Sequence, residues 1–249
     1  SLTSGIHSFY EHTKNHYTSS ASNEGKMINI SSKVYVQLDG RWGKFSGSAN
    51  LAIEDQYYKQ QSDRYHKQMF SPSGKLNYAI NQRLSLEYDF NLASRLPALS
   101  SMNNAAYQID QWERRVGNSG LKPFNHIEHS LTLAYYTQKC YAMLQGTYAY
   151  NKNAIMPTLT RTEEENEHVF FDNGVGNQRD FKQLVLTAYL RYALFQNKLV
   201  LSGTGSYIHY HADSELYNNR RGFFFGNLGV ESYLGKLYLS ANIRSRYNA

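Results

Sequence analysis

Apolar and polar residues alternate with a period of two along most of the chain, the pattern of half-buried β-strands. The clearest case is 83–91. There Leu84, Leu86, Tyr88 and Phe90 point one way, and Arg83, Ser85, Glu87, Asp89 and Asn91 the other. In 181–195, Leu184, Leu186, Ala188, Leu190, Tyr192 and Leu194 share a face opposite Gln183, Thr187 and Arg191. The same alternation runs through 33–38, 45–54 and 75–81, with further strands expected at 2–12, 126–137, 140–151, 198–211, 222–233 and 237–248. The pattern predicts an all-β chain of about eleven strands, most of about nine residues or more, the length at which a tilted strand crosses a bilayer.

The connections between these strands alternate in length. Short turns fall at 39–42, 81–82, 137–139, 196–197 and 234–236, and long polar connections at 13–26, 57–70, 92–125, 152–178 and 212–221. If every strand reverses direction, the short turns share one edge of the sheet and the long connections the other. That is the layout of an antiparallel up-and-down transmembrane β-barrel. A soluble barrel with its apolar face turned inward has the same one-dimensional pattern. A soluble or surface-exposed β-rich adhesin with Leu84, Leu86, Leu184 and Leu190 in a core is therefore the alternative.

Composition narrows the choice. Of 249 residues, 41% are hydrophobic and 18% charged, with 22 Tyr and 12 Phe. So many aromatics exclude a disordered chain. A mean hydropathy of −0.61 without any long apolar run excludes a polytopic helical membrane protein. A single cysteine, Cys140, excludes an internal disulfide framework. The net charge of +6 is scattered, with Arg114-Arg115 and Arg220-Arg221 the only adjacent basic pairs. These read as solvated loop charge, and no nucleic-acid partner is expected. The acidic run Glu163-Glu164-Glu165 with Glu167 reads as a loop tip. Tyr and Phe recur near strand ends, which suits aromatic girdles at two membrane interfaces. Both chain ends alternate like strands cut inside a larger sheet.

The stretch between two strands at 92–125 is long for a hairpin loop. It carries Arg95 and Pro97, then Ile109-Asp110, then Gly117-Asn118-Ser119-Gly120-Leu121-Lys122-Pro123. Gly117 and Gly120 would allow a tight reversal through positive φ. Pro123 disfavours helix at Lys122 and leads into an extended strand. Leu96, Leu99 and Leu121 would pack the stretch onto the sheet. This order resembles a segment of TonB-dependent outer-membrane receptors, in particular the barrel family abundant in Bacteroidetes, where Ser119-Gly120 would replace a more usual Asn-Pro-Asn. The resemblance marks Arg95, Pro97, Asp110, Gly117, Asn118, Leu121, Lys122 and Pro123 as a structural motif at the rim. It implies a 22-stranded Gram-negative outer-membrane barrel closed by a plug domain and driven through TonB, importing a nutrient such as a siderophore, glycan or peptide. Residues 1–249 would then be part of one barrel domain, truncated at both ends and without its plug. Outer-membrane lipid, the chain's own plug, TonB and a surface lipoprotein would be its partners.

Catalytic signals are lacking. There is no Gly-x-Ser-x-Gly, no phosphate-cradling loop and no His-Glu-x-x-His, so no enzyme and no cofactor are expected. His209 and His211 share a strand face and form a weak metal pair. His126 and His129 fall on opposite faces. The polar face of the predicted barrel carries Arg83, Glu87, Asp89, Glu128, Gln145, Gln183 and Arg191. Of these, Arg83, Glu87, Asp89 and Arg191 are the lumen-facing candidates for ligand contact.

Overall fold

The computed structural model describes residues 1–17, 23–60, 63–102, 106–163, 169–213 and 216–245. In chain order these form β1 (Leu2–Tyr17), β2 (Asn23–Trp42), β3 (Phe45–Gln60), β4 (Asp63–Ala79), β5 (Leu84–Arg95), α1 (Leu99–Met102), β6 (Tyr107–Gln108), β7 (Glu113–Arg115), β8 (Phe124–Tyr136), β9 (Cys140–Glu163), β10 (Val169–Leu194), β11 (Leu199–Asp213), β12 (Asn218–Leu234) and β13 (Leu237–Arg244). Eleven long strands pair up and down in the order β1-β2-β3-β4-β5-β8-β9-β10-β11-β12-β13. Each pairs antiparallel with its neighbour. The two short strands β6 and β7 pair with each other, and β7 adds to β10 in parallel. No helix among the described residues is long and apolar enough to cross a membrane. Residues 246–248, expected to end the last strand, lie outside the described residues.

The short edge is built by residues suited to tight reversals. Gly43 and Gly235 adopt φ of 59° and 64°, which costs glycine least. At 81–83, the Asn81 side chain accepts from the backbone N–H of Arg83 at 2.8 Å and of Leu84 at 3.0 Å. At 137–140, the Thr137 hydroxyl accepts from Cys140 N–H at 2.9 Å. Short polar side chains thus replace the missing ladder bonds.

The opposite edge corrects an expectation. Most of the polar stretches read as loops at 13–26, 57–70, 152–178 and 212–221 are strand continuations. β9 runs to Glu163 and β10 starts at Val169; β3 and β4 are separated by only two residues. These extensions mix polar and apolar residues without a steady period of two, so the amphipathic signal fades while the backbone keeps its ladder. Thr158, Thr160 and Thr162 are β-branched, and Thr is enriched in strands. Only 96–123 leaves regular pairing at length. Of the acidic run, Glu163 pairs with Arg161 at 3.1 Å, whereas Glu164, Glu165 and Glu167 lie outside the described residues.

Among the described residues the long strands form a single sheet. Its buried apolar residues are few and mostly small, such as Ala52, Ala149, Ala154, Ala193 and Ala212, while Leu131, Leu144, Leu186 and Leu228 are all well exposed. The core of this fold is the backbone ladder itself.

Candidate functional site

Register turns the alternation into two chemically different faces. One row runs across six strands through Asn77, Glu87, Thr132, Gln145, Thr187 and Ser206. The adjoining row holds Lys75, Asp89, Ser130 and Thr147. These side chains hydrogen-bond along the sheet: Gln145 Nε2 donates to Ser130 Oγ at 3.2 Å, Ser130 and Thr147 hydroxyls lie 3.1 Å apart, and so do those of Thr187 and Ser206. The other face carries Tyr88, Leu131, Gly146, Leu186, Tyr207 and Phe224 in one row and Leu86, Leu133, Leu144 and Ala188 in the next.

A groove of about 750 Å³ lies on that apolar face among Leu86, Leu131, Leu144 and Leu186. Its walls offer almost no polar group with which to orient a solute, so it fits acyl chains better than a specific ligand.

Sequence-predicted residues sort clearly. Glu87 and Asp89 stand on the polar face, joined by Lys75, whose Nζ is 2.7 Å from Glu87 Oε1 and 3.7 Å from Asp89 Oδ1. Lys75 was absent from the expected set. The 81–82 turn fixes its partner, because counting back from that turn brings 75 opposite 89. Arg191 is on the same face, opposite Tyr141 and Ser202. Arg83 sits in the short turn before β5, where its carbonyl accepts from Tyr136 N–H at 2.9 Å, level with the row that holds Arg191. Glu128 meets His126, whose Nε2 is 3.3 Å from its Oε2. His129 lies on the opposite face, where its Nδ1 is 2.7 Å from the Tyr88 hydroxyl. His209 stacks on Tyr207, while His211 stands between Lys182 and Arg220. No group of three or more His, Cys, Asp or Glu suited to a metal occurs among the described residues.

The rim motif forms a strap along β10. Arg95 closes β5 opposite Phe124. Pro97 is fully buried, and Leu121 is 3% exposed. Leu96 is half-buried. Asp110 Oδ1 accepts from Trp112 N–H and Glu113 N–H, both at 2.8 Å, which turns β6 into β7. Gly117 and Gly120 do not use positive φ. The reversal is closed instead by Asn118, whose Oδ1 accepts from Gly120 N–H at 2.9 Å and whose Nδ2 donates to Val175 O at 3.1 Å. Lys122 exchanges two bonds with one side chain: its N–H donates to Asn177 Oδ1 at 2.7 Å, and Asn177 Nδ2 donates to its carbonyl at 3.0 Å. Pro123 ends the strap, with β8 starting at the next residue.

Two further anchors were not foreseen. Arg114 donates through Nε and Nη2 to the two Asp172 oxygens at 2.8 and 3.1 Å and lies 4.2 Å over the Phe170 ring. That guanidinium, with Thr162 donating to the same carboxylate, holds Asp172 below the usual carboxylate range. Gln178 is fully buried. Its Oε1 accepts from Tyr217 N–H at 3.1 Å and its Nε2 donates to Tyr217 O at 3.0 Å, as a neighbouring strand would.

No family model and no curated protein sequence matches this chain. Solved structures do. The copper transporter OprC superposes with a TM-score of 0.74 at 12% identity, covering 98% of this chain and 40% of its own. The siderophore receptor PirA from Pseudomonas aeruginosa gives 0.62 at 12% identity over 97% of this chain and 52% of its own. The FrpB iron transporter from Neisseria meningitidis gives 0.61 at 13% identity, over 88% and 33%. The fold is that of a TonB-dependent receptor barrel. This chain spans between about a third and a half of those receptors' length. These neighbours are transporters and receptors rather than enzymes.

Proposed function

We propose that this chain is part of the wall of an outer-membrane transporter that imports a nutrient such as a siderophore, glycan or peptide. The carrying observation is the pair of faces. Leu131, Leu144, Leu186 and Leu228 are 50%, 59%, 46% and 67% exposed with nothing packed over them, opposite a hydrogen-bonded polar ladder. At about 25 cal/mol per Å² of apolar surface, leaving such rows in water is costly. Lipid removes that cost.

The dimensions agree. From Leu184 to Leu194 a strand rises roughly 33 Å at about 3.3 Å per residue, or about 25 Å once tilted by about 40°, the height of a barrel's apolar band. The polar face then lines the lumen, where Lys75, Glu87, Asp89 and Arg191 meet water or a plug. The strap and extended hairpins stand outside the cell, and the short turns in the periplasm. In the whole protein a plug, TonB and a surface lipoprotein complete the machine. Residues 1–249 are one stretch of its barrel domain, in the Bacteroidetes-type branch by the 95–123 motif, and Leu86 faces lipid where Glu87 faces the lumen. The copper, iron and siderophore cargoes of the neighbours support solute import as the class of activity.

Membrane extraction of the full-length protein tests this reading. It should stay with the outer membrane through carbonate washing and need detergent for release. Recovery in the aqueous fraction would instead support the soluble adhesin.

A further inference from the structure

The basic pair Arg220-Arg221 is split by strand alternation. Arg221 stands opposite Tyr210, in the polar-face row of Gln183. Arg220 stands opposite His211, and His211 opposite Lys182. Three basic side chains from β10, β11 and β12 therefore lie side by side on the apolar face. Residues directly opposite on paired strands hold their Cβ atoms about 4.5–5.5 Å apart. The same row continues through Tyr150, Ile127 and Leu92, so its charge is confined to one end. Lys182 and Arg220 are exposed and His211 is half-buried. The row itself holds no acid. The next row outward carries Asp180 and Asp213, with Lys152 opposite Asp180 and Asn218 opposite Asp213. Asp180 is already engaged by the Tyr150 hydroxyl and by Arg179 Nε at 3.4 Å.

This row sits where the apolar band ends. Inward from it come Leu184, His209 and Gly222, and then Leu186, Tyr207 and Phe224. Those last three line the groove of about 750 Å³. Tyr207 joins the two levels. A Cβ at residue 222 would sit 2.5 Å from the Tyr207 hydroxyl, so glycine leaves room for that ring to reach outward, and the hydroxyl lies 3.5 Å from His209 Nδ1. From the Leu186 row to the Lys182 row is roughly 13 Å at about 3.3 Å per residue, a distance that long Lys and Arg stems shorten by lying along apolar surface.

An acyl chain in the groove would thus have, at its outer end, a row of donors. Lys and Arg side chains donate and do not accept. A phosphate monoester offers three acceptor oxygens and about two negative charges, which suits donors arriving from three neighbouring strands. The hairpin edge stands outside the cell, so the leaflet at this level is the outer one. We propose that β10, β11 and β12 hold a phosphorylated, multiply acylated lipid of the outer leaflet, its phosphate on Lys182, His211 and Arg220 and its chains along the groove below. This rests on the reading of the apolar face as lipid-facing.

Native mass spectrometry of the full-length protein in detergent tests it, with diphosphorylated lipid A as probe, the same lipid stripped of its phosphates as the uncharged counterpart, and inorganic phosphate as competitor. The phosphorylated lipid should be retained at least tenfold better than the stripped one, and phosphate at the same concentration should not displace it. Arg220→Gln should lower retention at least fivefold while keeping the wild-type heat-modified migration on a gel. Arg221→Gln removes the same charge from the polar face one residue away and should leave retention unchanged. If Arg220→Gln does not assemble, Lys182→Gln replaces it with the same expectation. Unchanged retention in Arg220→Gln overturns the proposal. Equal loss in the two arginine variants would reduce the effect to net charge, equal retention of the stripped lipid would remove the headgroup contact, and displacement by phosphate would leave a bare anion contact; each also overturns it. Wild-type protein recovered without detergent overturns both this proposal and the transporter reading, whereas a detergent-dependent protein indifferent to lipid phosphate overturns this proposal alone.

Discussion

The spanning wall and the outer strap are held by opposite means. In the wall, across β5, β8, β9, β10 and β11, every strand bonds its neighbour through the backbone, and side chains serve the solvents on either face. In the strap, from Pro97 to Pro123, regular pairing is nearly absent. Side chains do the work of strands there: Asn118 and Asn177 bond backbone groups between the strap and β10, and Arg114–Asp172 pins the strap to β10. The wall tolerates any side chain that suits its face. The strap depends on particular atoms, because each buried polar group left unpaired costs about 1–3 kcal/mol.

The comparison breaks most sharply at Leu144. Leu144→Arg puts a charge in the middle of the apolar face and should destabilise the barrel by about 2–4 kcal/mol near the bilayer midplane. Glu87→Gln, on the other face, should leave refolding into lipid vesicles almost unchanged. Equal tolerance of both would mean the faces are misassigned.

Gln178→Leu is the counterpart on the hairpin edge beside the strap, where Gln178 likewise stands in for a strand. It removes both bonds to the Tyr217 backbone and strands that N–H and C=O, at a cost of about 1–3 kcal/mol. The loss should be local: amide exchange around 216–218 and 176–180 accelerates, while the melting of the wall stays put. A uniform loss of protection would make the two regions a single cooperative unit.

Asp172 sharpens the comparison through pH. Its carboxyl is held below its ordinary value in the folded state, so the folded state favours the ionised form. That contribution is fully present above the unfolded value of about 3.9 and is lost as pH falls through the lower folded value. Protection of the strap from proteolysis by an acid-active protease should therefore decline below about pH 4. In Asp172→Asn it should be weaker at neutral pH, by about 1.5–3 kcal/mol for a charge-assisted bond, and flatter across the acid range. Identical profiles would show that Arg114 does not hold the strap.

The smallest effect is expected at the short edge. Asn81→Ala removes the acceptor for two exposed turn N–H groups, which water then satisfies. About 0.5–1 kcal/mol should be lost by urea titration in vesicles.

The wall was legible because a period of two survives wherever one face is apolar: Leu84 to Phe90 and Leu184 to Leu194 announced both their strands and their facing. The hairpin extensions were not legible, since around Thr158, Thr160 and Asp172 apolar residues fall at both odd and even positions, the period of two is lost and the stretch reads as loop. Alternation alone put Glu87 and Asp89 on the polar face, and Lys75 was within reach once the register was counted. The motif located Asn118 and Lys122, but their partners Asn177 and Val175 lie more than fifty residues on, and no local pattern marks them. The same holds for Gln178 and Tyr217. A polar residue that replaces a missing strand looks, in one dimension, like any solvated one.

Sidedness tests the central claim most directly. Single cysteines at Leu159 and Asn218, on the hairpin edge, and at Gln138 and Lys236, on the short-turn edge, are placed in a Cys140→Ser background of the full-length protein. Intact cells are then treated with a membrane-impermeant maleimide. Labelling of 159 and 218 from outside, with 138 and 236 reacting only after the outer membrane is opened, is the predicted result. Labelling of 138 or 236 on intact cells, or protection of 159 and 218, would contradict a wall whose faces meet lipid and lumen and whose strap stands outside.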